Sequence, residues 1–133
     1  MVFEILKVDA PRQIVYGWGN VSVEGGSLET DSQDDQIEPD ELDEAVVDFM
    51  LHSRESGVMH EGESVGKVVA SMVSTPDVMK AFLGEAIGED ALAKIPIGWM
   101  LGVRVEDKAV FKLVVTKQLR AFSIQGSAER VPA

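Results

Sequence analysis

The sequence predicts one α+β domain, a small and mostly antiparallel β-barrel ringed by helices, that takes up all of residues 1–133. About six segments alternate apolar and polar residues with the period of two that is typical of strands. Two or three segments between them place apolar residues at helical spacing. A chain of this length buries a sizeable core unaided. It has no cysteine, which excludes a disulfide scaffold, a zinc ribbon and a thiol nucleophile.

The first two strands are predicted over residues 2–9 and 12–24. In the second, apolar residues such as Val15 alternate with polar and aromatic ones, as they do in a strand that is half buried. Gly17 and Gly19 interrupt this strand and indicate a bend or a close approach of two backbones.

An acidic loop and a helix are expected next. Residues 27–38 form the polar loop, in which we expect Glu29–Ser32 to be exposed and mobile. A helix begins near Pro39, because proline suits the first helical turn, and ends near Ser53. We expect residues 40–52 to form a helix that packs through an apolar stripe, which consists of Leu42, Val46, Phe49 and Met50.

The remaining elements are predicted from the same two patterns, the strand period of two and the helical spacing of apolar residues. Short strands are predicted over residues 57–61, 65–74, 99–105 and 120–131. One helix begins at Pro76 and ends at Gly84, and a second covers about residues 107–117, although its period also permits a strand. Residues 84–98 lie between glycines without a firm period, so we expect this segment to become ordered on meeting a partner or a second copy.

The charge is concentrated in one region. The net charge is −11, and ten acids with no base lie between Glu29 and Asp48. The rest of the chain is nearly neutral, which argues against nucleic acid or an anionic membrane as partner. The simplest interpretation of the acids is a solvated loop and the outer face of a helix. No signal peptide or membrane span is predicted, and a cytoplasmic protein is favoured.

Few residues can carry chemistry. The two histidines, His52 and His60, are eight residues apart on different elements, which is not a zinc motif. Residues 31–36 lack the glycine and the distal acid of a calcium loop, so the sequence predicts no metal and no cofactor. Taken alone, His60 in a short strand and Ser123 between two large apolar residues are structural.

Four stretches nevertheless occur in an order that resembles a known family. They are Ile14–Gly17 leading to Asp31–Asp35; Phe49–Leu51 followed by Gly57–His60; Val65–Ser71 followed by Pro96–Val103; and Ala121–Gly126. This order is similar to that of the serine proteases of tailed phages and prophages, the prohead or capsid-maturation proteases. The family often has glycine where this chain has Asp34, before the aspartate that Asp35 matches.

The resemblance implies a fold similar to that of the herpesvirus assembly proteases, with the catalytic serine and histidine on neighbouring strands. It assigns the nucleophile to Ser123 and the general base to His60. A third member that orients the base is Asp35, with Glu129 as the alternative. Glu61 and Glu63 are also close to His60 in sequence, and a serine–histidine dyad is the remaining option.

The function implied is that of a prohead serine endopeptidase. It would cut segments of the phage scaffold and major capsid protein inside the prohead, in the host cytoplasm, and act as a homo-oligomer, expected to be a dimer. In phages the protease is often joined to scaffold sequence, so a C-terminal scaffold region is expected outside residues 1–133. The alternatives are a catalytically silent capsid-assembly or scaffold-interaction module with the same fold, and a small binding domain of unrelated role.

Overall fold

Groups of strands separated by helices make up an α+β fold. The computed structural model describes residues 1–24, 27–28, 35–124 and 131–132. Its strands are β1 Val2–Asp9, β2 Ile14–Glu24, β3 Ser27–Leu28, β4 Asp35–Gln36, β5 Val58–His60, β6 Glu63–Val73, β7 Ile97–Val105, β8 Ala121–Ile124 and β9 Val131–Pro132. Its helices are α1 Pro39–His52, α2 Pro76–Leu83, α3 Glu89–Lys94 and α4 Lys108–Val115, with a 3-10 turn over Gly84–Ala86.

The main sheet closes into an antiparallel barrel. The strand order is β1-β8-β5-β6-β7-β2-β3, and β1 also pairs with β2. This second pairing joins the two ends of the sheet, so six strands form a closed barrel and β3 extends β2. In the described residues, β4 and β9 form a separate two-stranded sheet. The predicted α+β fold with a small, mostly antiparallel barrel is therefore confirmed, and the described residues add four α-helices to it.

Element boundaries follow local chemistry. Residues 107–117, which the sequence left ambiguous, form helix α4, because the carboxylate of Asp107 accepts a hydrogen bond of 3.0 Å from the N–H of Val110. The segment over residues 84–98 contains the 3-10 turn and α3. The expected mobility of Glu29–Ser32, and residues 125–130 of the predicted last strand, lie outside the described residues.

Helix α1 packs against side chains of the barrel that belong to the core. Four residues of its apolar stripe are buried: Leu42, Ala45, Val46 and Phe49. The ring of Phe49 meets that of Trp99 on β7 edge to face, and the indole N–H of Trp99 donates a 2.8 Å hydrogen bond to Ser71 on β6. The packing predicted for α1 is confirmed, with Met50 partly buried at the edge of the core.

The close backbone approach predicted for β2 occurs at Gly17. This residue pairs with Ile5 of β1, beside an irregularity in the ladder. A Cβ atom on Gly17 would overlap the backbone oxygen of Glu4. Only glycine therefore allows β1 and β2 to come this close where the barrel closes.

A buried serine joins the two ends of the helical segment between β6 and β7. The hydroxyl of Ser74 donates a 2.7 Å hydrogen bond to the carbonyl of Pro96 and accepts one of 3.0 Å from the N–H of Gly98. The chain leaves the barrel after β6 and returns to it at β7, and Ser74 holds these two ends together. Across the described parts of the chain, no helix has the length and apolar character needed to cross a lipid bilayer.

Candidate functional site

The strands that carry Ser123 and His60 are neighbours in the barrel. β5 pairs antiparallel with β8, with Val58 opposite Ile124 and Met59 opposite Ser123. His60 follows Met59 directly and ends β5. The fold therefore brings together two residues that are 63 positions apart in the sequence.

Ser123 faces away from the core. Its neighbours in β8, Phe122 and Ile124, are buried, whereas Ser123 is exposed. Phe122 is held from the other side by β1, where it stacks on Phe3 with ring centroids 6.3 Å apart. Because strand residues alternate between faces, this anchoring of Phe122 holds the Ser123 hydroxyl on the outer face.

His60 lies where β5 turns into β6. Glu61 and Gly62 have positive φ angles of 51° and 82°, as in the two-residue turns that close tight hairpins, and His60 pairs with Glu63 across the turn. The side chain of His60 is 25% exposed, so water and a substrate can reach the imidazole. The hairpin fixes the backbone of His60 on both sides.

The distance between Ser123 and His60 follows from the ladder. Paired Cα atoms lie about 5 Å apart and successive residues rise about 3.3 Å, so the Cα atoms of Ser123 and His60 are about 6 Å apart. In the described residues no hydrogen bond joins the two side chains. A regular strand would direct His60 to the face opposite Met59 and Ser123, but the ladder to β8 ends at Met59. Contact between imidazole and hydroxyl therefore depends on the conformation of His60 at the end of β5.

The candidates for a third member differ in their relation to His60. An oxygen of the Glu61 carboxylate lies 3.8 Å from Nε2 of His60, but Glu61 is 85% exposed, which makes such an ion pair weak. Glu63 is paired directly with His60. The backbone of Asp35 pairs with Pro132 in the small sheet, and Glu129 lies outside the described residues.

A polar cavity opens beside this site. Ser123, Met59 and Ser64 form a row of paired residues across β8, β5 and β6. Ser64 also lines a cavity of about 260 Å³, whose other polar side chains belong to Glu55, Lys67, Glu106 and Asp107. Within the described ranges, no three acids or histidines are grouped as metal ligands would be.

Met59 and Ser64 are the site residues that sequence reasoning missed. Each shares the exposed row with Ser123 through strand pairing. The apolar neighbours of Ser123 favoured a structural role for this residue, whereas the structure leaves its side chain exposed. No signal in the sequence gives the register that sets Met59 opposite Ser123, because register depends on partner strands and turns.

One comparison with known proteins gives a match. A family model described as "Putative phage serine protease XkdF" matches residues 1–132. No curated protein and no solved structure matches the chain.

Proposed function

We propose that this chain, which belongs to the family described as putative phage serine protease XkdF, is a serine endopeptidase of phage head maturation. The observation that carries the proposal is the pairing of Met59 with Ser123, which sets an exposed serine beside the strand that ends at His60. Family membership supports the reaction class, and the barrel supports it by bringing hydroxyl and imidazole to adjacent strands.

In this proposal Ser123 and His60 perform acyl transfer. A serine hydroxyl is a weak nucleophile and needs a base to remove its proton. The imidazole of His60 takes that proton as Oγ of Ser123 bonds to the scissile carbonyl carbon, and it returns the proton to the leaving amine as the C–N bond breaks. Water then attacks the acyl carbon while the imidazole of His60 takes its proton, and His60 returns that proton to Oγ of Ser123 as the bond between Oγ and the acyl carbon breaks. Of the acids near the base, Glu63 is paired across the hairpin from His60 and Asp35 is matched by the family resemblance.

The substrates and the setting are part of the proposal. The enzyme would cut segments of the scaffold and of the major capsid protein within the prohead, in the host cytoplasm, as a homo-oligomer. Extended, flexible segments suit the site, because the row from Ser123 to Ser64 lies on the outside of the barrel. A fold of the herpesvirus assembly protease type belongs to the same proposal.

A second function is a catalytically silent assembly module with the same fold. One observation favours it, namely that no hydrogen bond joins Ser123 to His60 within the described residues. In that case the exposed row on β8, β5 and β6 would bind scaffold or capsid protein without cutting it.

A fluorophosphonate probe separates the two functions, because it phosphonylates only a serine whose hydroxyl is activated by a base. We expect the wild-type protein, mixed with its scaffold, to be labelled at Ser123, and Ser123→Ala to remain unlabelled. Ser64→Ala is the matched control, since Ser64 lies in the same exposed row, and it should be labelled normally. A folded wild-type protein that stays unlabelled with scaffold present, and leaves the scaffold intact, would establish the silent module.

A further inference from the structure

An apolar groove of about 430 Å³ lies on the outer face of the barrel, on the side of the strands that points away from the core. We call it the outer groove, and its walls are the side chains of Leu6, Tyr16, Trp18, Met72 and Met100. Two rungs of paired residues build it, and the first joins Trp18, Met100 and Met72 across β2, β7 and β6. Aromatic and methionine side chains of this kind are enriched at protein interfaces.

The groove is hollow because its second rung is small. Tyr16 pairs with Gly102, and Gly102 pairs with Ala70. A Cβ atom on Gly102 would lie 2.8 Å from the ring of Tyr16, so the ring rests directly on the backbone there. With only a glycine and an alanine beside Tyr16, the middle of the face is a depression that fits a protruding ridge.

Charge varies along the groove. The next rung contains Arg104 and Lys67, and Lys7 lines the groove on the β1 side. Lys67 lies 3.7 Å from Glu106, whereas Lys7 and Arg104 form no ion pair with any other described residue. Glu4 is paired with Trp18 at the opposite, apolar end. The groove therefore has basic side chains at one end, and apolar side chains together with the acid Glu4 at the other.

The outward side of α1 has the complementary pattern. Asp40, Glu44, Val47 and Leu51 lie at positions i, i+4, i+7 and i+11, which align on one helical face. We call this face the α1 ridge. Its apolar residues lie open to solvent, Val47 at 54% and Leu51 at 71% exposed, and its acids lie toward the helix N-terminus. Acids at one end and apolar residues at the other mirror the outer groove.

The two surfaces also agree in length. Asp40 and Leu51 are eleven residues apart, which is about 16 Å along a helix. The basic rung at Arg104 and the apolar rung at Met100 are four residues apart, about 13 Å along a strand. An acid at the N-terminal end of the ridge therefore reaches the basic rung when Leu51 lies in the apolar part of the groove.

We propose that the α1 ridge of one copy of this chain docks in the outer groove of a second copy. Phe49 of α1 packs on Trp99 in β7, whereas Met100, the next residue along that strand, lines the groove on the opposite face, so α1 does not cover the groove of its own copy. Two different surfaces meet, which makes the contact heterologous, and such contacts build rings or open chains rather than twofold dimers. The association does not depend on proteolytic activity.

Sedimentation velocity of the full chain over a range of concentrations tests the proposal. We expect the mean mass of the wild type to rise with concentration and to fall again as salt screens the charged end of the contact. Ala70→Glu places an acid in the groove, and Leu51→Lys places a cation on the apolar part of the ridge. Each should weaken association about tenfold or more. Both positions are exposed, so folding should be kept, as circular dichroism will show.

Mixing the two variants gives the sharper result. Ala70→Glu retains an intact ridge and Leu51→Lys an intact groove, so an equimolar mixture should form one-to-one pairs and nothing larger. Phe82→Lys is the control, because Phe82 is 74% exposed on α2 and belongs to neither the groove nor the ridge, and this variant should assemble as the wild type does. A wild type that is monomeric at every concentration overturns the proposal, as do variants that assemble normally or a mixture that forms no pairs.

Discussion

Phe49 of α1 and Trp99 of β7 pack edge to face, with ring centroids 5.1 Å apart and ring planes at 67°. Gly57, just before β5, lies against the Phe49 ring, where a Cβ atom would overlap it. The same ring therefore contacts the barrel wall on one side and the strand that leads to His60 on the other. Through Phe49, the position of α1 is coupled to the start of β5.

Phe49→Ala should lower the free energy of unfolding by roughly 3–5 kcal/mol, because it removes a buried ring and leaves a cavity beside Trp99. Chemical denaturation measures the loss. Leu51→Ala on the same helix is the control and should change stability by less than about 0.5 kcal/mol, since Leu51 is exposed. Equal losses in the two variants would contradict the packing described for α1.

Gly17→Ala should destabilise the barrel strongly, because the added methyl group overlaps the backbone oxygen of Glu4 where β1 meets β2. We expect a loss above about 2 kcal/mol, measured as a drop in the denaturation midpoint. Gly88→Ala is the matched control, because nothing lies within 4 Å of a Cβ atom there. A tolerated Gly17→Ala would mean that β1 and β2 separate at this point.

Ser123→Ala should leave the melting temperature nearly unchanged, because the side chain is exposed and makes no hydrogen bond with a described residue. Under the proposed function it should reduce scaffold cleavage roughly a thousandfold or more. Gel analysis of scaffold processing gives the rate, with Ser64→Ala as the reference. Normal cleavage by the variant would assign the nucleophile to another residue.

His60→Gln should reduce scaffold cleavage to a similar degree, because glutamine cannot accept the serine proton. His52→Gln is the natural control. His52 is the other histidine of the chain and lies at the exposed end of α1. Comparable activity in the two variants would remove His60 from the reaction. An unlabelled but folded His60→Gln protein in the fluorophosphonate assay would support its role as the base.

Specific activity should rise with protein concentration, because a protease that acts only inside an assembling head benefits from being weakly active while dispersed. Cleavage of a fixed amount of scaffold is measured over a range of enzyme concentrations, with sedimentation in parallel. Ala70→Glu provides a variant impaired in association, and its activity should stay low. A flat activity curve at the full rate from a monomeric protein would exclude control by assembly.

The fold was largely predictable because its signals are local. The stripe of α1 and the alternation in β2 and β6 repeat every few residues, so sequence alone places these elements close to their observed bounds. The helix over Lys108–Val115 was ambiguous, because a run of valine, leucine and phenylalanine suits either structure. The carboxylate of Asp107, bonded to the N–H of Val110, is what selects the helix there.

The site was predictable only in part. The roles of Ser123 and His60 are implied by resemblance, whereas the apolar neighbours of Ser123 favoured a structural serine and not the exposed one that is observed. That Met59, and not His60, lies directly opposite Ser123 is a matter of register, which depends on the hairpin at Glu61-Gly62 and on pairing with distant β1. The register between these strands therefore cannot be read from the sequence of one strand alone.

The hydrogen bonds of Ser74 mark the boundary between the barrel and the helical segment that connects β6 to β7. Ser74 and Pro96 are 22 positions apart, and their contact holds the two ends of this connecting segment together whatever residues lie between them. Lengthening such a closed loop costs little free energy once its ends are fixed. The stretch that carries α2 and α3 can therefore be exchanged for another without moving the strands on either side of it. Recombination could replace it with segments of other lengths and sequences, giving descendants of this chain new surfaces on an unchanged barrel.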